Sequence, residues 1–172
     1  SNIGTGTLIK HIASSASGLI MNTSRFDLVR AGISLYGYWP SKPTKLSFAQ
    51  LGHKDIELKP VLSWKSEISL IKMIPSGRYV GYGCLYKTNR ETKVAIIPVG
   101  YYEGFPRLAG SKQSYVLIAG QRCAILGRIC MNMMIVDITH IENIELYEEV
   151  TLIGKSGDNT IATSDITEWA ET

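Results

Sequence analysis

Between residues 61 and 74 the chain alternates in polarity. Leu62, Trp64, Ile68 and Leu70 fall on one face, and Ser63, Lys65, Glu67 and Ser69 fall on the other. A period of two is the signature of a strand with one buried face. Apolar runs follow at 93–99, 115–119, 123–125, 133–138 and 149–153. The turns between them are supplied by Ala119–Gly120–Gln121, by Gly127 and by the Glu-rich connection 142–149. Several short strands with turn signals and almost no helical periodicity predict an all-β barrel or sandwich.

Upstream the pattern differs. Residues 7–13 read as a short strand, and Ser14 with Ser15 as the cap of a short helix over 16–21. Residues 27–36 are apolar but interrupted by Arg30 and Gly32, which is odd for a simple buried strand. Gly37, Pro40, Ser41 and Pro43 announce a turn and a boundary, and 41–58 reads as a linker or long surface loop. The expected organisation is therefore a short mixed segment (1–40), a linker (41–58) and a β domain (59–172). Near the end, Asp165 as N-cap with Glu168 three residues on predicts a helix start. That helix has barely two turns before Thr172, and Ser1 is not a methionine, so the sequence reads as a piece of something longer.

Of the 172 residues, 45% are hydrophobic, enough for a core, and the net charge of +3 comes from scattered lysines and arginines. Scattered charge argues against a nucleic-acid footprint. No apolar run approaches the roughly 20 residues of a membrane helix, and no signal peptide opens the chain. Cys84, Cys123 and Cys130 are an odd count without CxxC spacing, which argues against a disulfide framework or a zinc site and fits a reducing cytosol. Cys130, between Ile129 and Met131, reads as a small buried hydrophobe.

Five stretches carry candidate chemistry. In Val80–Gly81–Tyr82–Gly83 a phenol sits between two glycines, which frees the backbone and leaves the ring no adjacent side chains to lean on. Such a tyrosine suits presentation to a pocket, although a strand-end tyrosine is also an ordinary rim residue. His11 with Ser14–Ser15–Ala16 offers a hydroxyl and free amides at a helix start, a modest anion site or simply an N-cap. Arg30 in an apolar stretch needs an acceptor, either a ligand or an ion-pair partner, and Gly32 leaves its amide approachable. Gly100–Tyr101–Tyr102–Glu103–Gly104–Phe105–Pro106–Arg107 is a mixed aromatic and charged loop, of a kind that lines pockets or caps barrels. Gly127–Arg128–Ile129–Cys130–Met131–Asn132–Met133 is a methionine-rich turn that also fits core filling.

In one order, His11 with Ser14–Ser15, then Arg30–Ala31–Gly32–Ile33–Ser34–Leu35–Tyr36–Gly37, Leu58–Lys59–Pro60, Val80–Gly81–Tyr82–Gly83, Pro98–Val99–Gly100–Tyr101 and Gly127–Arg128–Ile129–Cys130–Met131 closely resemble the C-terminal part of the alanine racemases. These are pyridoxal 5′-phosphate enzymes that interconvert L- and D-alanine. The resemblance implies that residues 1–40 are the last elements of an N-terminal (β/α)8 barrel. The rest would be a mainly β domain, a closed Greek-key-like β-barrel. It further implies that Ser15, Gly32 and Ile33 bind the cofactor phosphate, that Arg30 faces the pyridine nitrogen and that His11 supports Arg30. Tyr82 would be the catalytic tyrosine, reaching the partner subunit's active site in a cytoplasmic head-to-tail homodimer. Tyr101 and Met131 would line the substrate entrance. A small amino acid is the implied substrate, D-alanine for peptidoglycan the implied product, and neither a metal, nor nucleic acid, nor a membrane is expected.

The implied roles have a physical logic. Racemisation needs a proton-transfer group on each face of the substrate Cα. The family uses a lysine and a tyrosine, and an ordinary tyrosine is a poor base at neutral pH unless cations or donors favour its phenolate. An arginine against the ring nitrogen keeps its proton, so the ring is a weaker electron sink and side reactions are suppressed. The sequence also departs from the family pattern. Asn-Ser-Ala-Ala becomes Ser14–Ser15–Ala16–Ser17, Gly-Tyr-Ala-Asp-Gly becomes Gly100–Tyr101–Tyr102–Glu103–Gly104, and Met-Asp-Gln becomes Met131–Asn132–Met133. The lost carboxylate leaves serine or another small amino acid open as substrate. No lysine here lies in the cofactor-lysine motif and the C-terminal phosphate-site tyrosine is missing, so this stretch alone is not expected to racemise anything. A catalytically inactive racemase-like β domain serving dimerisation or binding is the alternative, and an unrelated β-barrel binding module a more distant one.

Overall fold

A computed structural model describes residues 8–111 and 113–171, so Thr7 of the expected 7–13 strand and the terminal residues of the expected domains lie outside it. The chain divides into two compact units, with the boundary between Leu62 and Ser63.

In the first unit the backbone is mostly irregular. α1 (Ser15–Ile20) follows the N-cap Ser14, whose N–H donates to Ser17 Oγ at 3.0 Å. Among the described residues the strand expected over 7–13 does not form, and the apolar stretch 27–36 is no strand either; a lone parallel bridge pairs His11 with Leu28, and Ile33–Tyr36 is a single 3-10 turn. The reason is burial: Leu28, Val29, Ile33, Leu35 and Tyr36 are exposed, so these apolar residues lie on no strand face packed against a core. Residues 41–58 are also more than a loop. α2 (Lys42–Gln50) begins at Ser41, whose Oγ accepts from Thr44 N–H at 3.2 Å, with Pro43 in the first turn. Proline is tolerated there because that N–H has no helical partner. Phe48 is the anchor, tilted on Trp39 at 5.3 Å and stacked on His53 at 4.5 Å.

Among the described residues of the second unit, ten strands make three sheets. β1 (Trp64–Glu67), β9 (Glu149–Ser156), β6 (Tyr115–Ile118) and β7 (Gln121–Ala124) lie in that order, with β10 (Asn159–Ile161) also on β9. β2 (Leu70–Ile74), β5 (Thr92–Ile97) and β8 (Met134–Asp137) form the second sheet, and β3 (Tyr79–Val80) with β4 (Tyr86–Lys87) a two-residue hairpin. All named pairings are antiparallel. The domain is mainly β, but the sheets are open rather than closed into a barrel. Closure needs a continuous ladder around the ring. Here the single run 61–74 breaks at buried Ile68 into two strands in different sheets, and the bridge Ile125↔Val136 stands outside any ladder.

Side chains complete what hydrogen bonds do not. Ala95 and Ile97 of β5 and Met134 and Val136 of β8 meet Leu117, Val150 and Leu152 of the larger sheet in one core. The alternate residues, Val94 and Ile135, point the other way and join Ile74, Val80, Tyr86 and Leu126 in a satellite cluster under the β3–β4 hairpin. α3 (Thr163–Ala170) packs Trp169 edge-on against Tyr115 at 5.1 Å. Its N-cap is Ala162 rather than Asp165. Asp165 sits three residues in and reaches back, Oδ2 accepting from Ala162 N–H at 2.8 Å.

Candidate functional site

The candidate residues fall in both units. In the first, Ser15 is buried and its Oγ accepts from Gly32 N–H at 2.8 Å and from Ser34 N–H at 3.4 Å. Ser15, Gly32 and the Ile33 turn are thus brought together from residues seventeen or more apart. Ser34, which sequence reasoning passed over, carries a buried Oγ with no partner among the described residues. Arg30 is not inside a strand. It is exposed, its N–H donates to Ala13 O at 2.9 Å, and its guanidinium therefore escapes the desolvation expected from the sequence. His11 is exposed at the bridge to Leu28.

In the second unit Tyr82 lies at the tip between β3 and β4 and is 67% exposed. Gly81 and Gly83 on either side have φ of +79° and +78°, the region only glycine enters freely. The tip bridges Arg128 through an antiparallel Tyr82↔Arg128 pair. Around it a cavity of about 250 Å³ is lined by Tyr82, Tyr101, Arg107, Ile129, Cys130 and Met131. The sequence therefore marked three of the six lining residues as site residues, and the fold brings those three together.

Main-chain contacts hold the cavity's walls. Tyr101 N–H donates to Cys130 O at 3.1 Å and Tyr102 N–H to Met131 O at 2.8 Å. Glu103 turns back so that its Oε2 accepts from Gly100 N–H at 2.7 Å. Arg107 lies over the Tyr101 ring at 5.7 Å, within range of a cation–π contact. Its place in the Gly100–Arg107 loop was the signal that could have marked it. Cys130 is half-buried and lines the cavity, so it is not the core hydrophobe expected from the sequence. Among the described residues no cluster of three or more His, Cys, Asp or Glu could hold a metal ion. No helix there is long and apolar enough to cross a membrane.

Fold and cavity define a class: a β domain of two main sheets and a short hairpin whose loops set exposed phenols, a guanidinium and a thioether around a small cleft. Comparison with known proteins narrows it. The family described as alanine racemase, C-terminal domain, matches residues 61–172. An alanine racemase of Leptospira interrogans is 45% identical across 99% of this chain, and one of Halothermothrix orenii 41% identical across 95%. The chain spans 44% and 41% of those two proteins. Among solved structures, alanine racemase from Clostridium difficile 630 superposes with a TM-score of 0.82 at 35% identity, covering 95% of this chain and 40% of that one. The Bacillus anthracis enzyme with bound L-Ala-P gives 0.81 at 31% identity, covering 94% and 39%. The chain belongs to the alanine racemase C-terminal domain family.

Proposed function

We propose that this chain is the C-terminal part of a cytoplasmic, homodimeric, pyridoxal 5′-phosphate-dependent alanine racemase, with residues 8–40 belonging to its cofactor-binding barrel. Tyr82 is then the proton carrier on one face of the substrate Cα, delivered to the partner subunit, and a lysine outside this chain serves the other face. The observation that carries this reading is an exposed phenol on a glycine-flanked tip, beside Tyr101 and Met131 at one cavity. The names of the relatives supply the reaction and substrate.

The residues present fit the cofactor's phosphate. Ser15 Oγ accepts two backbone N–H groups, which leaves its own O–H free to donate, and the orphaned Ser34 Oγ is a second buried hydroxyl beside it. Ser15 and the amides of Gly32 and Ile33 would hold the phosphate, the Gly32 N–H turning to it from Ser15 Oγ, while Arg30, supported by His11, would face the ring nitrogen. When bound, pyridoxal 5′-phosphate supplies the electron sink that acidifies the substrate Cα–H. In one direction Tyr82, as phenolate, would take the Cα proton while the lysine outside this chain gives one to the opposite face. In the other direction the two roles reverse, and proton exchange with solvent resets both groups before the next turnover. Tyr101, Arg107 and Met131 bound the approach, with Arg107 offering a fixed positive charge to a substrate carboxylate.

The test uses the full-length protein. L-alanine should be converted to D-alanine, and Tyr82→Phe should abolish turnover while cofactor absorbance is retained. Full activity in that variant would defeat the reading. Cofactor binding without any turnover by the wild-type protein would favour an inactive dimerisation module, and preferred turnover of L-serine would reassign the substrate.

A further inference from the structure

The Tyr82 tip has almost no packing of its own. Tyr82, Cys84 and Leu85 are exposed, and the β3–β4 hairpin beneath is only two pairs long, Tyr79↔Lys87 and Val80↔Tyr86. A hairpin that short does not hold a shape alone. What fixes it comes from residues 126–128, some forty positions on. Leu126 is 4% exposed and joins Val80 and Val94 in the satellite cluster, while its N–H donates to Ile135 O on β8 at 2.8 Å. Its neighbour Gly127 has φ of +70°, and a methyl there would sit 2.8 Å from Val80 O. A methyl on Gly81 would in turn reach Leu126 O and Arg128 N at 3.4 Å. Main chain thus lies directly on main chain beneath the phenol, and one buried side chain ties that contact to the second sheet.

We infer that Leu126 and Gly127 are positioning residues for Tyr82: they set where the phenol stands without touching substrate. This deepens the racemase reading and depends on it for its kinetic consequence only. The satellite cluster is separate from the main core, so loosening it frees the tip while the two larger sheets keep their packing.

The experiment uses the full-length protein with 3-fluorotyrosine at position 82, and kinetics on the unlabelled protein. In wild type the fluorine gives one sharp resonance. Leu126→Ala should broaden or split it, and Leu126→Met, which keeps the volume, should restore it. Gly127→Ala should act like Leu126→Ala. Ile161→Val, a main-core change remote in sequence from the hairpin, should leave the resonance alone. An unchanged resonance in Leu126→Ala, or the same broadening in Ile161→Val, overturns the inference whether or not the protein racemises alanine.

Kinetics supply the second arm. A displacement near 1 Å costs on the order of 100-fold in rate, so kcat/KM in Leu126→Ala should fall about 10- to 100-fold. It must fall equally in both directions, because enantiomers have an equilibrium constant of unity. The discriminating quantity is the α-deuterium isotope effect. It should rise for the enantiomer whose α-hydrogen goes to Tyr82, and not for the other. An equal change for both overturns positioning of Tyr82. A wild-type protein inactive on alanine instead defeats the functional assignment and leaves the fluorine result to decide the placement.

Discussion

Gly100→Ala tests whether the cavity wall is held by main-chain contact. A methyl on Gly100 would lie 2.2 Å from Cys130 O, 2.5 Å from Met131 O and 2.6 Å from Met131 C. No side-chain rotation relieves this, because every offending atom is backbone. The 100–102 and 130–131 segments must part by about 1 Å before van der Waals contact is restored. Parting breaks Tyr101 N–H to Cys130 O and Tyr102 N–H to Met131 O, each worth about 1 kcal/mol net. Overpacking against the Cys130–Met131 backbone adds about 1–3 kcal/mol. Wherever the space exists, replacing glycine by alanine stabilises by about 0.4–1 kcal/mol through the unfolded chain. The steric argument therefore predicts the opposite sign, a loss of about 3 kcal/mol after that offset. Urea unfolding followed by tryptophan fluorescence reads it directly, since Trp64 packs on Phe105 with ring centroids 6.0 Å apart. Gly104→Ala is the companion: nothing lies within 4 Å of its added methyl, and only its φ of +103° resists. It should lose about 1–2 kcal/mol. A Gly100→Ala protein as stable as wild type, or less affected than Gly104→Ala, would refute the close-approach account.

Two further tests concern titration. Burial, then the nearby Asp137 carboxylate, push the Cys123 thiol up to about 12, so at pH 8 a thiol reagent should label exposed Cys84 readily and Cys123 only after unfolding, as peptide mapping would read; fast labelling of Cys123 in the folded protein contradicts its placement. For Asp137, burial alone would raise the pKa, but hydrogen bonds from Thr139 and the Arg90 guanidinium at 3.3 Å outweigh it and hold the carboxyl below its usual range. A depressed folded pKa contributes stability above the unfolded value that is lost as pH falls through the folded one. The stability gap between wild type and Asp137→Asn should accordingly narrow as pH falls from about 5 through 3.8 and below, and a gap constant across that range would count against the pairing.

The sequence announced elements whose order is local. β5 and β8 are apolar runs bounded by turns, and the hairpin β6–β7 turns at Ala119 and Gly120, both at positive φ, where the turn was expected. It was silent where an element is too short to show a period. β3, β4 and β10 have two or three residues each. α2 buries only Thr44 and Phe48, one turn apart, so its nine residues look patternless, and Pro43 was taken for a turn when it was a first-turn proline behind a serine cap. Apolar residues at 27–36 misled for the converse reason: hydrophobicity predicts burial only when a partner face exists within the unit. Closure of a barrel is a property of registers between distant strands, and no stretch of sequence states it.

The same distinction explains the candidate site. Tyr82 could be named from its two flanking glycines, and Tyr101 and Met131 from the family resemblance that the order of the motifs along the chain carries. What places them is not legible in that way. Gly100 meets Cys130 and Met131, and Gly127 meets Val80, contacts across roughly 30 and 47 positions whose partners are carbonyls rather than side chains. A carbonyl is supplied by every residue type, so the sequence at 80 or 130 carries no mark of the role. The consequence is asymmetric tolerance. Side chains on the loop, such as Tyr102 at 74% exposed, can change and leave the cavity wall where it is. The glycines cannot, since each added methyl displaces a backbone that in turn carries one of the three groups at the cleft.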